Sequence, residues 1–476
     1  MQQIDLKIGP KIKSKRRQSG ISQAGLSERL SISPSYLNLI ESGKRKVDGD
    51  LLIKICSELG IEISDLTRKT DASLYQNVME LLDDNLFEEL DILGPEVKEL
   101  VNSNPKLARA LIKLGDNYKK KDHDIVTTVE NLSGKMIDSK KTSFPGEEIS
   151  DYIQANSNYF PKLEEFANTI FSSVQTNNRT SYLSLCKYLE NKHKIKVTDV
   201  IPDESTKPFS KIFDPDKKTL LLSDYLPLET KKLYAASQIV QLEALDIINE
   251  YLNSFSFSSE AARKLSTVAL LNYAGAAILM PYKLFFEECF KQRYDLELLQ
   301  NTFGTSFEQV AHRVTCLQDP KMKGIPFHML RVDSAGNISK RFSMSGIEIP
   351  RYGGACSRWN IYSAFSSPNK IHAAVSKMTN GEKYVCIAKT VEKGIGKHGN
   401  FIKSVLSIGL GIQAKYAKDF VYSDSLNLHD KKSEILIGVN CRTCDLMECA
   451  QRAFPPLHKK FDVDLNARGV SVYVKD

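Results

Sequence analysis

The sequence predicts a multidomain chain: an all-α N-terminal domain, a mainly helical middle domain and an α+β C-terminal domain. Three observations carry this reading. At 476 residues and roughly 150 per domain, there is room for about three domains. Apolar residues recur at helical spacing through most of the chain before Pro320. After Pro326 the pattern changes to short runs that read as strands, interrupted by brief helical segments.

Composition sets the outer limits. Apolar residues make up 42% and charged residues 26%, values that exclude a disordered or collagen-like chain. The longest apolar run, Thr267–Met280, is broken at Asn272 and falls short of the ~20 residues that a spanning helix needs. The N-terminus is hydrophilic and lacks the apolar stretch of a secretion signal. A cytoplasmic protein with no membrane partner is expected. Nine cysteines in such a chain do not predict a disulfide framework.

Residues 1–70 form the first predicted domain. Up to Lys46 there are ten bases, while the acids are only Asp5, Glu28 and Glu41, so the whole formal net charge of +7 sits in this first tenth. A basic module on a neutral body predicts a polyanion partner, because each phosphate neutralised releases counterions. Five short helices are expected between 8 and 66. Ser22 can cap SQAGLSERL, and Ser33 can cap the next helix with Pro34 in its first turn, where the missing N–H does no harm. Tyr36, Leu37 and Ile40 recur at helical spacing before Gly43, and LLIKICSEL follows. Two short helices joined by a tight turn, the second presenting small polar residues, predict a helix-turn-helix.

The segments SQAGLSERL, SPSYLNLIESGKR and LLIKICSELGI resemble the lambda-repressor-like (XRE) DNA-binding domain. The resemblance implies that Gln23 contacts a phosphate and that Ser33, Ser35, Tyr36 and Asn38 face the major groove of double-stranded operator DNA. Lys44 and Arg45 would hold the backbone. Short hydroxyl and amide side chains read base edges and basic ones fix position.

Residues 71–150 read as a helical connector followed by a linker. VMELLDDNLFEELDIL and LVNSNPKLARALIKLGDNY show helical periodicity, suited to a connector or a dimer helix pair. Gly134, Pro145 and Gly146 with no clear period make 123–150 the linker.

Residues 151–324 are predicted mostly helical, from FPKLEEFANTIFSS through SSEAARKLSTVALLNYAGAAILMPY, with strands near VTDVIPDE and KTLLLSDYL. NYAGAAILMP and SFEQVAHRV resemble the ImmA/IrrE-type zinc metallopeptidase fold. Where that family carries HExxH, this chain has Ser237, Gln238 and Gln241, and Val268 stands where the downstream glutamate ligand would fall. A zinc peptidase needs imidazole ligands and a carboxylate base, so a degenerate domain without catalytic residues is expected.

Residues 325–476 make the α+β domain, with strands at FHMLRVD, NISKRFSM, KYVCIAKTV, SVLSIGLGIQ, EILIGVN and VSVYV. IPRYGGACSRWNIYSAFSSP and IGVNCRTCDLMECAQRAFPPLHKKFDVDLNARGVSVY resemble the short-chain fatty acyl transcriptional regulator family, as does the earlier ELVNSNPKLARALIKL. That resemblance implies a DNA-binding regulator of short-chain acyl or carboxylate metabolism that responds to acyl-coenzyme A. It also implies a cluster held through Cys441, Cys444 and Cys449. The C-x2-C-x4-C spacing makes sense by itself: two thiolates bite one metal from a turn and the third closes the face. A 4Fe–4S iron–sulfur cluster, zinc and reduced structural thiols are the three readings. A fourth ligand would be Cys356, a distant residue, a small molecule or nothing.

An acyl-coenzyme A effector needs cations, an apolar slot and close backbone approach. Arg351, Arg358 and Trp359 supply cation and wall, and Gly409 and Gly411 permit approach; the alternative is that the tryptophan is core and the glycines mark turns. GIGKHGN at 394–400 lacks the context of a phosphate loop and reads as a surface loop. His312, His328 and His372 share no metal-ligand spacing. The chain as a whole reads as a transcription regulator working as a homodimer, with half-sites one helical turn (~34 Å) apart. A regulator that senses redox state alone and an ImmA-type metallopeptidase that cleaves a repressor are the two rival readings, the second opposed by Ser237, Gln238 and Gln241.

Overall fold

The computed structural model describes residues 9–18, 21–42, 45, 47–59, 72–82, 87, 92, 94–115, 145–201, 209–350, 354–393 and 404–455. Two compact units emerge, Met1–Val129 with Met447–Asp476, and Glu130–Leu446. The predicted fifth N-terminal helix, the loop at 394–400 and the strand VSVYV lie outside the described residues.

In the first unit, α1 (Gly9–Gln18), α2 (Gln23–Arg29), α3 (Pro34–Glu41) and α4 (Gly49–Leu59) enclose a small core. Ile12, Leu26, Leu37, Ile40 and Ile55 are its fully buried centre. Asp48 starts α4 by accepting the Leu51 N–H through Oδ1 at 2.8 Å, satisfying one of the donors a helix start leaves open. Helices α5 (Ala72–Leu82), α6 (Gly94–Ser103) and α7 (105–115) share a second core of Leu74, Val78, Val97, Val101 and Ala108.

The second unit begins earlier than predicted. Residues Pro145–Ala155 form helix α8, with Glu147 and Glu148 in its first turn. The linker expected through 150 therefore ends before Pro145. Proline breaks a helix interior but fits the first turn, and the acids there suit the helix dipole.

Helix α9 (Pro161–Val174) and the short hairpin β1 (Gln175–Thr176) and β2 (Arg179–Thr180) lead to α10 (Tyr182–His193). Then come β3 (Lys196–Val200), β4 (Lys211–Asp214) and β5 (Thr219–Ser223), ordered β3-β5-β4. Two helices follow, α11 (Leu228–Glu243) and α12 (Leu245–Asn253), broken at Ala244. The apolar run falls in α13 (Glu260–Leu279), followed by α14 (Tyr282–Lys291), α15 (Leu296–Phe303) and α16 (Phe307–Thr315). Among the described residues, no single helix is long and apolar enough to cross a membrane.

The two motifs NYAGAAILMP and SFEQVAHRV meet at a buried ion pair. Arg313 of α16 donates to Glu164 of α9 through Nη1 at 2.6 Å and Nη2 at 2.8 Å, and through Nε to the Met280 carbonyl at 3.0 Å. The Tyr273 hydroxyl donates to the same carboxylate at 2.5 Å. Burial opposes the Arg313 charge, yet Glu164 beside it overcomes that and holds the guanidinium protonated.

After the hairpin β6 (Gln318–Asp319) and β7 (Met322–Lys323), a mixed sheet forms from β8 (Phe327–Asp333), β9 (Ile338–Ser343), β10 (His372–Met378), β11 (Lys383–Lys393), β12 (Ser404–Gln413) and β13 (Glu434–Ile437). Its order is β13-β10-β11-β12-β8-β9. All pairs are antiparallel except β10–β13. β10 has no predicted counterpart, because HAAVSKM lacks the strong β-branched run of its neighbours.

Strand alternation gives the sheet two buried faces. Val385, Ile387, Ile408, Leu410 and Met329 join the same core as the helices α8–α16. The boundary predicted at 324/325 is therefore no break in packing. Leu330, Tyr384, Cys386 and Ala388 point the other way, into a second core with Trp359 and Ile361 of the segment that includes α17 (Asn360–Ser363).

Candidate nucleic-acid interface and sensor residues

The helix-turn-helix is built by its caps. Ser22 accepts the Gly25 N–H at 3.0 Å and Ser33 accepts the Tyr36 N–H at 3.1 Å, each closing an open donor at a helix start. In α3 the apolar Leu37 and Ile40 turn inward, which leaves Ser35, Asn38 and Leu39 exposed at helical spacing, beside exposed Ser33. Tyr36 is half-buried, and the Arg45 guanidinium lies 5.0 Å from its ring centroid. Lys44 lies outside the described residues.

Gln23, at the first position of α2, is tied to α3. Its Nε2 donates to Glu41 Oε2 at 2.9 Å and lies 3.4 Å from Asn38 Oδ1. Glu41 is 1% exposed and holds Arg16 through Nε at 2.6 Å and Nη2 at 3.0 Å. That bond raises the Arg16 pKa further. One of the ten bases in the predicted polyanion module is thus internal, and only the remainder can face phosphate. Neither Arg16 nor Glu41 stands out in the sequence as a positioning residue; their separation by 25 positions hides the pair.

Ser237 and Gln238 are buried on α11, and Gln241 is half-buried one turn on. Ser237 Oγ bonds Asn272 Oδ1 at 3.2 Å, and a Cβ at Gly275 would stand 2.7 Å from that Oγ. Small residues at 237 and 275 let α11 and α13 pack closely here. Val268 is half exposed. Among the described residues, no group of three His, Cys, Asp or Glu side chains is placed to hold a metal ion.

The C-terminal residues divide differently from the sequence expectation. Trp359 is buried and its indole Nε1 donates to the Gly438 carbonyl at 2.8 Å. A Cβ at Gly409 would lie 2.9 Å from Ile361 Cδ1, and one at Gly411 only 2.4 Å from His328 Cε1 and 2.9 Å from Cys386 Sγ. The glycines do permit close approach, but core side chains make it. The space beside them, lined by His328, Trp359, Ser376, Cys386 and Gly409, measures about 10 Å³, room for a single water. Trp359, Gly409 and Gly411 make packing contacts here, as in the alternative that the sequence left open. Arg358 is half-buried, and Arg351 lies outside the described residues.

None of the nine cysteines is in a disulfide. Cys441 is half-buried and Cys444 buried in the second unit, while Cys449 is buried in the C-terminal segment of the first. Cys444 Sγ packs on Gly438, where a Cβ would stand 2.6 Å away, and Cys356 donates its N–H to the neighbouring Val439 carbonyl at 2.9 Å. Three thiols are the right donors for iron or zinc. His328 accepts or donates at Ser345 Oγ, 2.8 Å from Nδ1, and its Nε2 lies 3.6 Å from Cys386 Sγ. Burial pushes the His328 pKa down to about 3 and the Cys386 thiol up to about 12.

A capped recognition helix with an exposed polar face, in a chain matching the helix-turn-helix model, defines a helix-turn-helix transcription regulator. Residues 12–66 match the helix-turn-helix model, 191–315 the IrrE N-terminal-like domain, and 316–473 the short-chain fatty acyl coenzyme A regulator C-terminal model. The HTH-type transcriptional regulator RamB of Mycobacterium tuberculosis is 32% identical over 471 residues, 98% of each chain. The propionyl-CoA carboxylase regulator of Cereibacter sphaeroides is 30% identical over 470 residues, again 98% of each. A solved Mycobacterium tuberculosis transcriptional regulator superposes with a TM-score of 0.64 at 33% identity, covering 70% of this chain and 100% of that one. The chain belongs to the short-chain fatty acyl coenzyme A regulator family.

Proposed function

We propose that this regulator binds operator DNA as a homodimer and controls short-chain acyl or propionyl-coenzyme A metabolism in response to an acyl-coenzyme A thioester. Ser33, Ser35, Tyr36 and Asn38 read bases, while Gln23, Lys44 and Arg45 hold phosphates. The observation that carries the reading is the exposed polar face of α3 in a chain whose full-length relatives include a propionyl-CoA carboxylase regulator. The effector acts only through different affinities for two arrangements of the paired DNA modules. In the same reading, Cys441, Cys444 and Cys449 hold an iron–sulfur cluster, with zinc as the alternative metal; the support is their C-x2-C-x4-C spacing.

Titrating acetyl- or propionyl-coenzyme A against operator binding tests the effector. A shift in half-saturation supports it, and no shift at any concentration favours the regulator that senses redox state alone, the reading helped by the packed surroundings of Gly409 and Gly411. Iron and sulfide assays on anaerobically purified protein test the cluster. An iron-free preparation with stoichiometric zinc rejects it.

A further inference from the structure

Glu308 gathers more positive charge than it neutralises. Its carboxylate, 11% exposed on α16, accepts from Arg331 Nη1 of β8 at 2.8 Å, Lys340 Nζ of β9 at 3.0 Å and Lys393 Nζ of β11 at 2.6 Å. Among the described residues, these three cations ion-pair with no other carboxylate. The sheet register brings them together: Arg331 stands opposite Lys340 across β8–β9. Lys393 falls on the same sheet face as Val385 and Ile387, an even number of residues further along β11. Burial alone would raise the Glu308 carboxyl, but Lys340, Lys393 and Arg331 overcome it and hold it well below the usual carboxylate range.

The neighbours offer no compensation. His312, one turn along α16, is neutral, with burial and the nearby Lys340 pushing its pKa down to about 3. Lys389, in the same row of the sheet, is held by Glu297 at 2.6 Å and lies over the Phe307 ring, and Arg313 is held by Glu164. Like charges directly opposite across strands are destabilising. Three cations here share one carboxylate, and burial, with Arg331 and Lys393 nearby, lowers the Lys340 pKa despite Glu308, so a further anion would favour its charged form. The Lys340 and Lys393 side chains are each nearly half exposed.

We propose that Arg331, Lys340 and Lys393 form a docking site for a phosphoanion of two or more negative charges, with Glu308 as the template that keeps the cations converged. Charge-assisted hydrogen bonds from arginine and lysine suit phosphate oxygens. Where the effector is an acyl-coenzyme A, which rests on the function proposed above, its phosphate-bearing end docks here. Free diphosphate offers the same chemistry.

Calorimetric titration of the full-length chain with inorganic pyrophosphate, coenzyme A and pantetheine distinguishes these sources. Pyrophosphate and coenzyme A are expected to compete, and pantetheine, which lacks phosphate, to leave pyrophosphate binding unchanged. Lys340→Gln and Lys393→Gln should each weaken pyrophosphate about tenfold, as loss of one charge-assisted bond implies, while Lys393→Arg retains it. Circular dichroism and melting confirm that the variants fold. Absence of pyrophosphate binding, or equal binding by the wild type and both glutamine variants, overturns the site. Pyrophosphate binding without any effect of acyl-coenzyme A on operator binding leaves the site standing and rejects the effector reading.

Discussion

Glu41 joins the two ends of the helix-turn-helix: one carboxylate holds buried Arg16 of α1 in a two-point ion pair and also accepts the Gln23 amide that opens α2. Removing it leaves an uncompensated guanidinium inside a small core. Glu41→Ala is therefore expected to destabilise the N-terminal helices by about 3–5 kcal/mol and to abolish operator binding. Denaturant unfolding followed beside DNA binding checks this; unchanged stability would show that Arg16 finds water instead.

Asn38 and Arg45 separate base reading from backbone holding. Asn38→Ala should weaken the preferred operator by about 1–3 kcal/mol and relax preference at one base position. Arg45→Ala should weaken all sequences alike and reduce the salt dependence by about one counterion. Binding isotherms at several salt concentrations, on operator and random duplexes, tell the two apart.

Gly411 faces His328 and Cys386. Gly411→Ala forces a methyl into contacts of 2.4 and 2.9 Å and is expected to cost about 1–3 kcal/mol through overpacking. The loss should appear without any effector. A variant as stable as the wild type that binds acyl-coenzyme A more weakly would restore the glycine to a ligand site.

Acid should weaken the second unit before it reaches carboxylate protonation. His312 and His328 stay neutral when folded, with pKa values near 3, whereas in the unfolded chain a histidine protonates near 6.5. The unfolded state takes up protons first, so stability falls as pH drops from about 6.5 toward 3. Each histidine contributes at most about 1.4 kcal/mol per pH unit. Glu308, also depressed, adds a loss at still lower pH. Urea unfolding at a series of pH values should show a shallower slope for His328→Asn than for the wild type.

By itself the sequence determined what depends on near neighbours. The caps Ser22 and Ser33, the inward Leu37 and Ile40, and five strands of the six-stranded sheet follow from spacing, residue type and turn chemistry over a few positions. Only the tertiary structure decided what depends on residues far apart in the chain. Arg16 becomes internal because Glu41 reaches it, Gly409 and Gly411 serve packing because Ile361 and His328 fill their space, and Arg313 becomes a keystone because Glu164 and Met280 close around it. The convergence of Arg331, Lys340 and Lys393 on Glu308 is of the same kind. Charge and shape complementarity act through distance in space, and a linear pattern records distance only along the chain.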